Sequence, residues 1–538
     1  MDPTAPYNPL PTSVSEKALL ERQQHEPQGH GVDCYSPEPM MQLAREDRSR
    51  RRRRFLKGFG AGVLLFFALK MFAGSVSSYA GFYTRGGCND HHQLIQEPDW
   101  LGEYDEHSVG EPGEFPIPPD MTVDHCTNWP DEEPSYLDGD DKPNHDHDDH
   151  YHSVWNTFEL PISSKSLFLL SRGPFSFGAV DIGQSDQPGD SVLVNVTTHY
   201  RHPHLLEHAQ VCQLNRHEGE VGVGVFSTRP PRRGPHRHRH IPVWFGINVT
   251  LPKGTEESPL ELKTFATSMG IFPQTIGDLT KTVRFENLFL KSAVSGISAK
   301  TVWAKNMVAK TSAAPIQGIF GASSSLKLVT SNSGIHALGI SLGESTIKSA
   351  NGPIIGTYTA STRLDLITAN APIDVNVTLF NKDEDTPTEV KMETAHGRVN
   401  GNLTLYKIHS DKEEDSASNP GGSFKISASN AVGPISLLTS RAPVNSTINL
   451  KAKTALGPVQ VQMHPTFEGR FSVQTTMGKN EVTVDEEQED PDKKGRKRSV
   501  DFSKAGSATI GKVYWGDANN LRGEVKLETT LASAELKL

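Results

Sequence analysis

The stretch HDHDDHYH interleaves imidazole and carboxylate, the ligand types that can hold a divalent cation. His145, His147, His150 and His152 are its candidate ligands. Pro, Asp and Asn crowd the flanks, so a metal would bind weakly and unselectively, and a solvated spacer is the competing reading. HRHRH, His236 to His240, also has three histidines, but Arg237 and Arg239 repel a bound cation; an exposed basic or pH-sensitive loop fits better. The basic run ending in Lys497-Arg498 suits dibasic processing in a secretory lumen, or nuclear import, with a solvated loop as the plain alternative. Hydrolysis of a polysaccharide needs two carboxylates facing one sugar. Asp365 and Asp374 come nearest to such a pair, yet adjacent repeats place Lys, Thr, His or Gln in those columns. No HExxH helix or phosphate loop occurs. The expectation is a protein without catalytic residues or cofactor.

Five asparagines, Asn195, Asn248, Asn376, Asn402 and Asn445, each precede a Thr by two positions and form N-glycosylation sequons. All lie on one side of RRRRFLKGFGAGVLLFFALKMFAGSVSSYAGF, the clearest targeting signal in the chain. A spanning helix needs about 20 mostly apolar residues, and 58–80 supplies them with Lys70 inside. A central Lys costs on the order of 3 kcal/mol, while each Leu or Phe returns roughly 0.3 to 0.6. The apolar residues from Val63 to Phe72 therefore offset it.

Basic residues 48–57 precede the span, and Cys88 to His150 carries nineteen Asp and Glu against one Lys. Lys and Arg near a span stay cytoplasmic, so the N-terminus is inside and the bulk lies outside or in the secretory lumen. A cleaved signal ending near Ser78-Tyr79-Ala80 is the rival reading, and the twin Arg before Phe55 also matches an export pattern. The net charge of −10 with segregated blocks argues against a nucleic-acid binder. Of four cysteines, Cys88, Cys126 and Cys212 would share the oxidising side; which two pair is open.

The organisation expected is a disordered cytoplasmic tail at 1–47, a polybasic segment at 48–57, the span at 58–80, an acidic disordered stalk at 81–152, a β-rich lead-in at 153–287 and repeats at 288–538. The repeats carry the fold. Written in rows of nineteen from Leu288, five rows align without a gap. Leu290, Ala309, Leu328, Ile347 and Leu366 fill one column, Ser292, Thr311, Thr330, Ser349 and Thr368 a second, and Ile297, Ile316, Ile335, Ile354 and Ile373 a third.

Further copies follow with variable loops, and the last, VKLETTLASAELKL, closes the sequence. A period near twenty with two short strands per unit predicts an all-β solenoid-like stack, with a sandwich of hairpins as the alternative. Ser or Thr ends the first strand, a small residue turns the corner, and Pro or Gly opens the second strand.

The rows ending in SANGPI and TANAPI, with the closing GKVYWG and VKLETTLASAELKL, resemble the bacterial "putative adhesin" family of stacked strand-turn repeats. They are also similar to uncharacterised fungal proteins that set such repeats behind one membrane span. The resemblance covers about Trp155 to Leu538. It implies the fold and an adhesin-like or wall-contacting role, with wall polysaccharide or a surface protein as partner, and carries no catalytic residue. The alternatives are a stalked carbohydrate-active β-helix enzyme, for which Tyr358 and Phe320 in one column would line a groove, and a sorting or folding factor of the secretory pathway.

Overall fold

In Leu364–Asp365–Leu366–Ile367–Thr368, side chains alternate across the strand, and Leu364, Leu366 and Thr368 are buried. Ala371 and Pro372 then turn the corner, and Ile373, Val375, Val377 and Leu379 bury the same side of the next strand. Repetition of this local plan builds the molecule. The computed structural model describes residues 97–101, 114–129, 152–228, 243–408, 421–519 and 521–538, with thirty strands among them. The expected span at 58–80 and tail at 1–47 lie outside those residues. Among the described residues no helix is long and apolar enough to cross a membrane.

From Ile335–Ser341 to Val459–Gln462, strands pair in parallel with the strand two places along the chain. Ile354, Ile373, Val399, Ile435 and Val459 stand in register on successive coils. Leu328, Ile347, Leu366 and Met392 do so in the other ladder. The columns read from the rows of nineteen are these registers. Two parallel ladders result, here called sheet A (containing Ile373–Asn381) and sheet B (containing Arg363–Thr368), with one continuous apolar core shared by their inner faces. The long strands Ile297–Lys310 and Ile316–Thr330 each serve both sheets. Parallel pairing throughout the coils excludes the hairpin sandwich.

The Ser/Thr column has a tertiary role beyond ending strands. Thr368 Oγ1 donates to the Gly352 carbonyl at 3.2 Å, Thr394 to Ala371 at 3.0 Å and Thr529 to Gly457 at 3.0 Å. Each hydroxyl thus satisfies a buried corner carbonyl of the neighbouring coil. Close stacking also dictates glycine: Gly356 has φ 147°, and a Cβ there would fall 1.9 Å from the Ala337 carbonyl oxygen.

Antiparallel pairing is confined to the two ends. At one end, His152–Pro161 pairs with Ser191–Tyr200 and that strand with Trp244–Leu251, extending sheet A. Thr122–Cys126 and Ala209–Asn215 extend sheet B onto Glu220–Ser227. At the other end, Arg498–Ala505 and Ala508–Trp515 form a hairpin on Gly469–Thr475. These antiparallel strands terminate the parallel stack at each end.

Three features differ from the sequence reading. Coil stacking begins well before 288, because Ser166–Arg172 and Phe177–Gln184 already pair in parallel with Leu260–Ser268 and Gln274–Asp278. Unequal connections in that region, among them the stretch around HRHRH, had broken the nineteen-residue period. The closing repeat is not last in space: Gly523–Thr529 lies between Thr447–Thr454 and Gly469–Thr475.

Finally, residues 97–101 and 114–129, inside the segment expected as a stalk, pack on the outer side of sheet B. The Trp100 ring sits 5.2 Å from Phe168, and Leu101 and Met121 join Leu170, Phe226, Phe289 and Val308 in a second apolar cluster. Glu97 pairs with Lys310 and Lys327. A disulfide joins Cys126 to Cys212, which resolves the open pairing; Cys88 lies outside the described residues.

Candidate functional site

The shared core removes the aromatic groove from consideration. Tyr358 and Phe320 are 1% and 0% exposed; they fill the interior and line no groove. The Tyr358 hydroxyl has no hydrogen-bond partner among the described residues, and burial holds its pKa well above the phenolic range. The carboxylates fare no better as a pair. Asp365 belongs to sheet B and Asp374 to sheet A, so they face opposite sides of the stack. Each is engaged by arginine: Arg363 Nε reaches Asp365 at 3.2 Å, and Arg398 grips Asp374 with Nε and Nη2 at 2.9 Å each. Two carboxylates so separated cannot act on one glycosidic bond.

What remains are the two outer faces. On sheet A, successive strands present Thr357 and Thr359, then Asn376 and Thr378, then Asn402 and Thr404. This face is rich in amides and hydroxyls, with the Asp374–Arg398 pair among them. It holds four of the five sequons: Asn195 stands directly opposite Asn248, and Asn376 beside Asn402. Asn195, Asn248 and Asn376 are exposed, while Asn402 is half-buried with an unpartnered Oδ1. Asn445, the fifth, sits in a turn at φ 59°. At the edge of the same face the Phe380 and Tyr406 rings stack at 5.2 Å, and the Arg441 guanidinium caps Tyr406 at 4.5 Å. Each member covers its neighbour's ring, so the stack is self-satisfied.

Beyond the strands covered by Leu101 and Met121, sheet B's outer face is charged, and in one column the charges are ordered. One column reads Glu344, Arg363, Glu389, Lys425, Asn449, Glu524 and Arg470 across successive coils. Sign alternates at every step around the neutral Asn449. Lys425 reaches Glu389 at 2.7 Å and Arg363 reaches it at 3.9 Å. In-register stacking brings equivalent positions together, where like charges would repel, and alternation removes that penalty. At the corner between the sheets an exposed amide ladder runs the same way: Asn351 donates to Asn332 at 2.9 Å and Asn370 to Asn351 at 2.8 Å.

Two perturbed acids, Asp490 in the loop before Arg498 and Glu468 just ahead of Gly469–Thr475, share Arg496. Hydrogen bonds from Arg496 hold the Asp490 pKa far below the carboxylate range, helped by the backbone N–H groups of Asp492 and Arg496. Burial raises Glu468, which accepts from Arg496 at 3.2 Å and from the Trp515 amide at 3.2 Å. Every strong acceptor there is used in pinning the loop, so the cluster is structural. Lys497 is exposed and Arg498 begins a strand paired with Trp515, its guanidinium 5.7 Å from the indole. A processing enzyme would have to free that strand before cutting.

His152 opens the outermost strand of sheet A with its ring 5.6 Å from Tyr200. His145, His147, His150 and the HRHRH loop lie outside the described residues. Among the described residues no group of three or more His, Cys, Asp or Glu is placed to hold a metal. Sequence reasoning missed the charge column and the Asp490 network. Glu344 and Arg363 do share a column of the nineteen-residue rows, but the later members are displaced by loops.

Comparison with known proteins yields little chemistry. The family model described as a domain of unknown function (DUF7330) matches residues 345–489, the middle of the coil stack. A solved structure titled a "putative cell adhesion protein" from Clostridium sporogenes aligns with 72% of this chain and 99% of its own, at 9% identity and a TM-score of 0.14. At that score the likeness carries no argument. No curated protein matches. Neither match indicates a catalytic family.

Proposed function

We propose that the chain is a single-pass membrane glycoprotein, anchored by residues 58–80 with its N-terminus cytoplasmic, whose coil stack is a non-catalytic, adhesin-like or wall-contacting module. The observation that carries this reading is the single core running from Phe158 to Leu538, which makes a rigid body with two long outer faces and leaves Asp365 and Asp374 on opposite sides. The Cys126–Cys212 disulfide is in keeping with an oxidising compartment. The exposure of Asn195, Asn248 and Asn376 suits glycan attachment on the outer side.

The test has two parts. An epitope placed after Leu538 is expected to stain intact cells; staining only after permeabilisation would sink the surface role and favour a secretory-pathway factor. The purified full-length chain, incubated with wall polysaccharide, is expected to co-sediment with it and release no sugar. Release of reducing ends would restore the carbohydrate-active alternative.

A further inference from the structure

We propose that two copies of this chain join through the strand His152–Pro161, each pairing antiparallel with its counterpart about a twofold axis at Asn156. All ten residues of this strand pair with Ser191–Tyr200 on one side, and no described strand lies on the other. Natural edge strands are kept short, or blunted with Lys and central Pro. This one is long, has no Lys and places its one Pro at the last position. It presents Trp155 at 71% exposure on its outer face.

Asn156 supplies the register. It lies on the core-facing side of the strand, between Val154 and Phe158, and its Nδ2 is buried with no partner among the described residues. A buried amide nitrogen needs an acceptor. Antiparallel self-pairing with Asn156 opposite Asn156 brings one amide to the other across the axis. The same register sets Val154 against Phe158, Trp155 against Thr157 and Ser153 against Glu159, so apolar positions meet and the acidic side chains do not. A single buried Asn facing its own copy is a known means of specifying register.

The chain's own residues 130–151 are a poor rival for this edge. They contain three Pro and nine Asp or Glu, a composition that does not form a strand. A second copy offers an edge of matching length and pattern.

The test uses the full-length chain with Cys34→Ser and Cys88→Ser, leaving the native disulfide intact. Asn156→Cys is expected to give a disulfide-linked dimer as the major species on a non-reducing gel, and Thr157→Cys, off the axis, about fivefold less. Trp155→Lys in the otherwise native chain is expected to weaken self-association by about tenfold in sedimentation, without lowering the melting temperature of the monomer. A chain that sediments as a monomer at about 10 µM would overturn the proposal. So would equal cross-linking at 156 and 157, or a dimer indifferent to Trp155→Lys.

Discussion

The two outer faces of the stack are built by the same coils over the same core, yet they solve the problem of in-register repetition differently. Sheet B uses charge and in one column alternates its sign, from Glu344 through Arg363 and Glu389 to Lys425, although Lys451 and Lys526 stand in register in another. Sheet A uses Thr, Asn and Ser, which tolerate a like neighbour because each can donate and accept. The pairing of Asn376 with Asn402 and of Asn195 with Asn248 is harmless for that reason. This face is poorer in charge, with Asp374 and Arg398 paired on it, and glycans at its sequons would add solubility. The sequons at Asn195, Asn248, Asn376 and Asn402 all lie on sheet A.

The largest predicted effect tests whether the faces share one core. Ile373, fully buried on the inner side of sheet A, belongs to the common core; Ile373→Asp should destabilise by about 4 kcal/mol or more, because an unpaired charge enters an apolar interior. Both faces should unfold in one transition, and protection of sheet B amides in the mutant by hydrogen exchange would separate them.

Next in size, Tyr358→Phe deletes the orphaned hydroxyl beneath sheet A and should stabilise by about 1 kcal/mol in thermal or denaturant unfolding. A loss of stability would mean that the hydroxyl is satisfied and the core is less dry than described.

Smaller still is the charge test. Glu389→Lys places three cations in a row with Arg363 and Lys425, and should cost about 0.5 to 1 kcal/mol, recovered in high salt. Asn400→Lys on sheet A, flanked by Asp374 and Ser436, should cost nothing measurable. Equal penalties on the two faces would undo the distinction drawn between them. At the bottom of the scale, Asn376→Gln should remove at most one glycan, read as a mobility shift, with unchanged melting.

Much of the core was legible in the chain itself. TANAPIDVNVT was readable as one rung because Thr368 and Ile373 recur at nineteen-residue spacing and Val375 and Val377 continue the alternation, and all four are buried. The first coils were illegible for a physical reason: Ser166–Arg172 and Phe177–Gln184 find their parallel partners across intervening hairpins and long connections, so period is lost while pairing is kept. Residues 97–101 and 114–129 were misjudged by composition. Their acidic surroundings suggest a stalk, yet Trp100, Leu101 and Met121 cover a patch of sheet B whose strands, such as Ser166–Arg172, are apolar on both faces.

By itself the sequence determined the alternation of each strand, the Ser/Thr and Gly/Pro corners and the nineteen-residue rung, because these are set by residues near one another in the chain. Only the tertiary structure decided the spatial order of the last coils, the Cys126–Cys212 pair and the sign alternation of sheet B. The strand Gly523–Thr529 enters between two earlier strands, and Glu524 thereby separates Asn449 from Arg470. That order depends on complementarity between edges far apart in sequence, which no local pattern encodes.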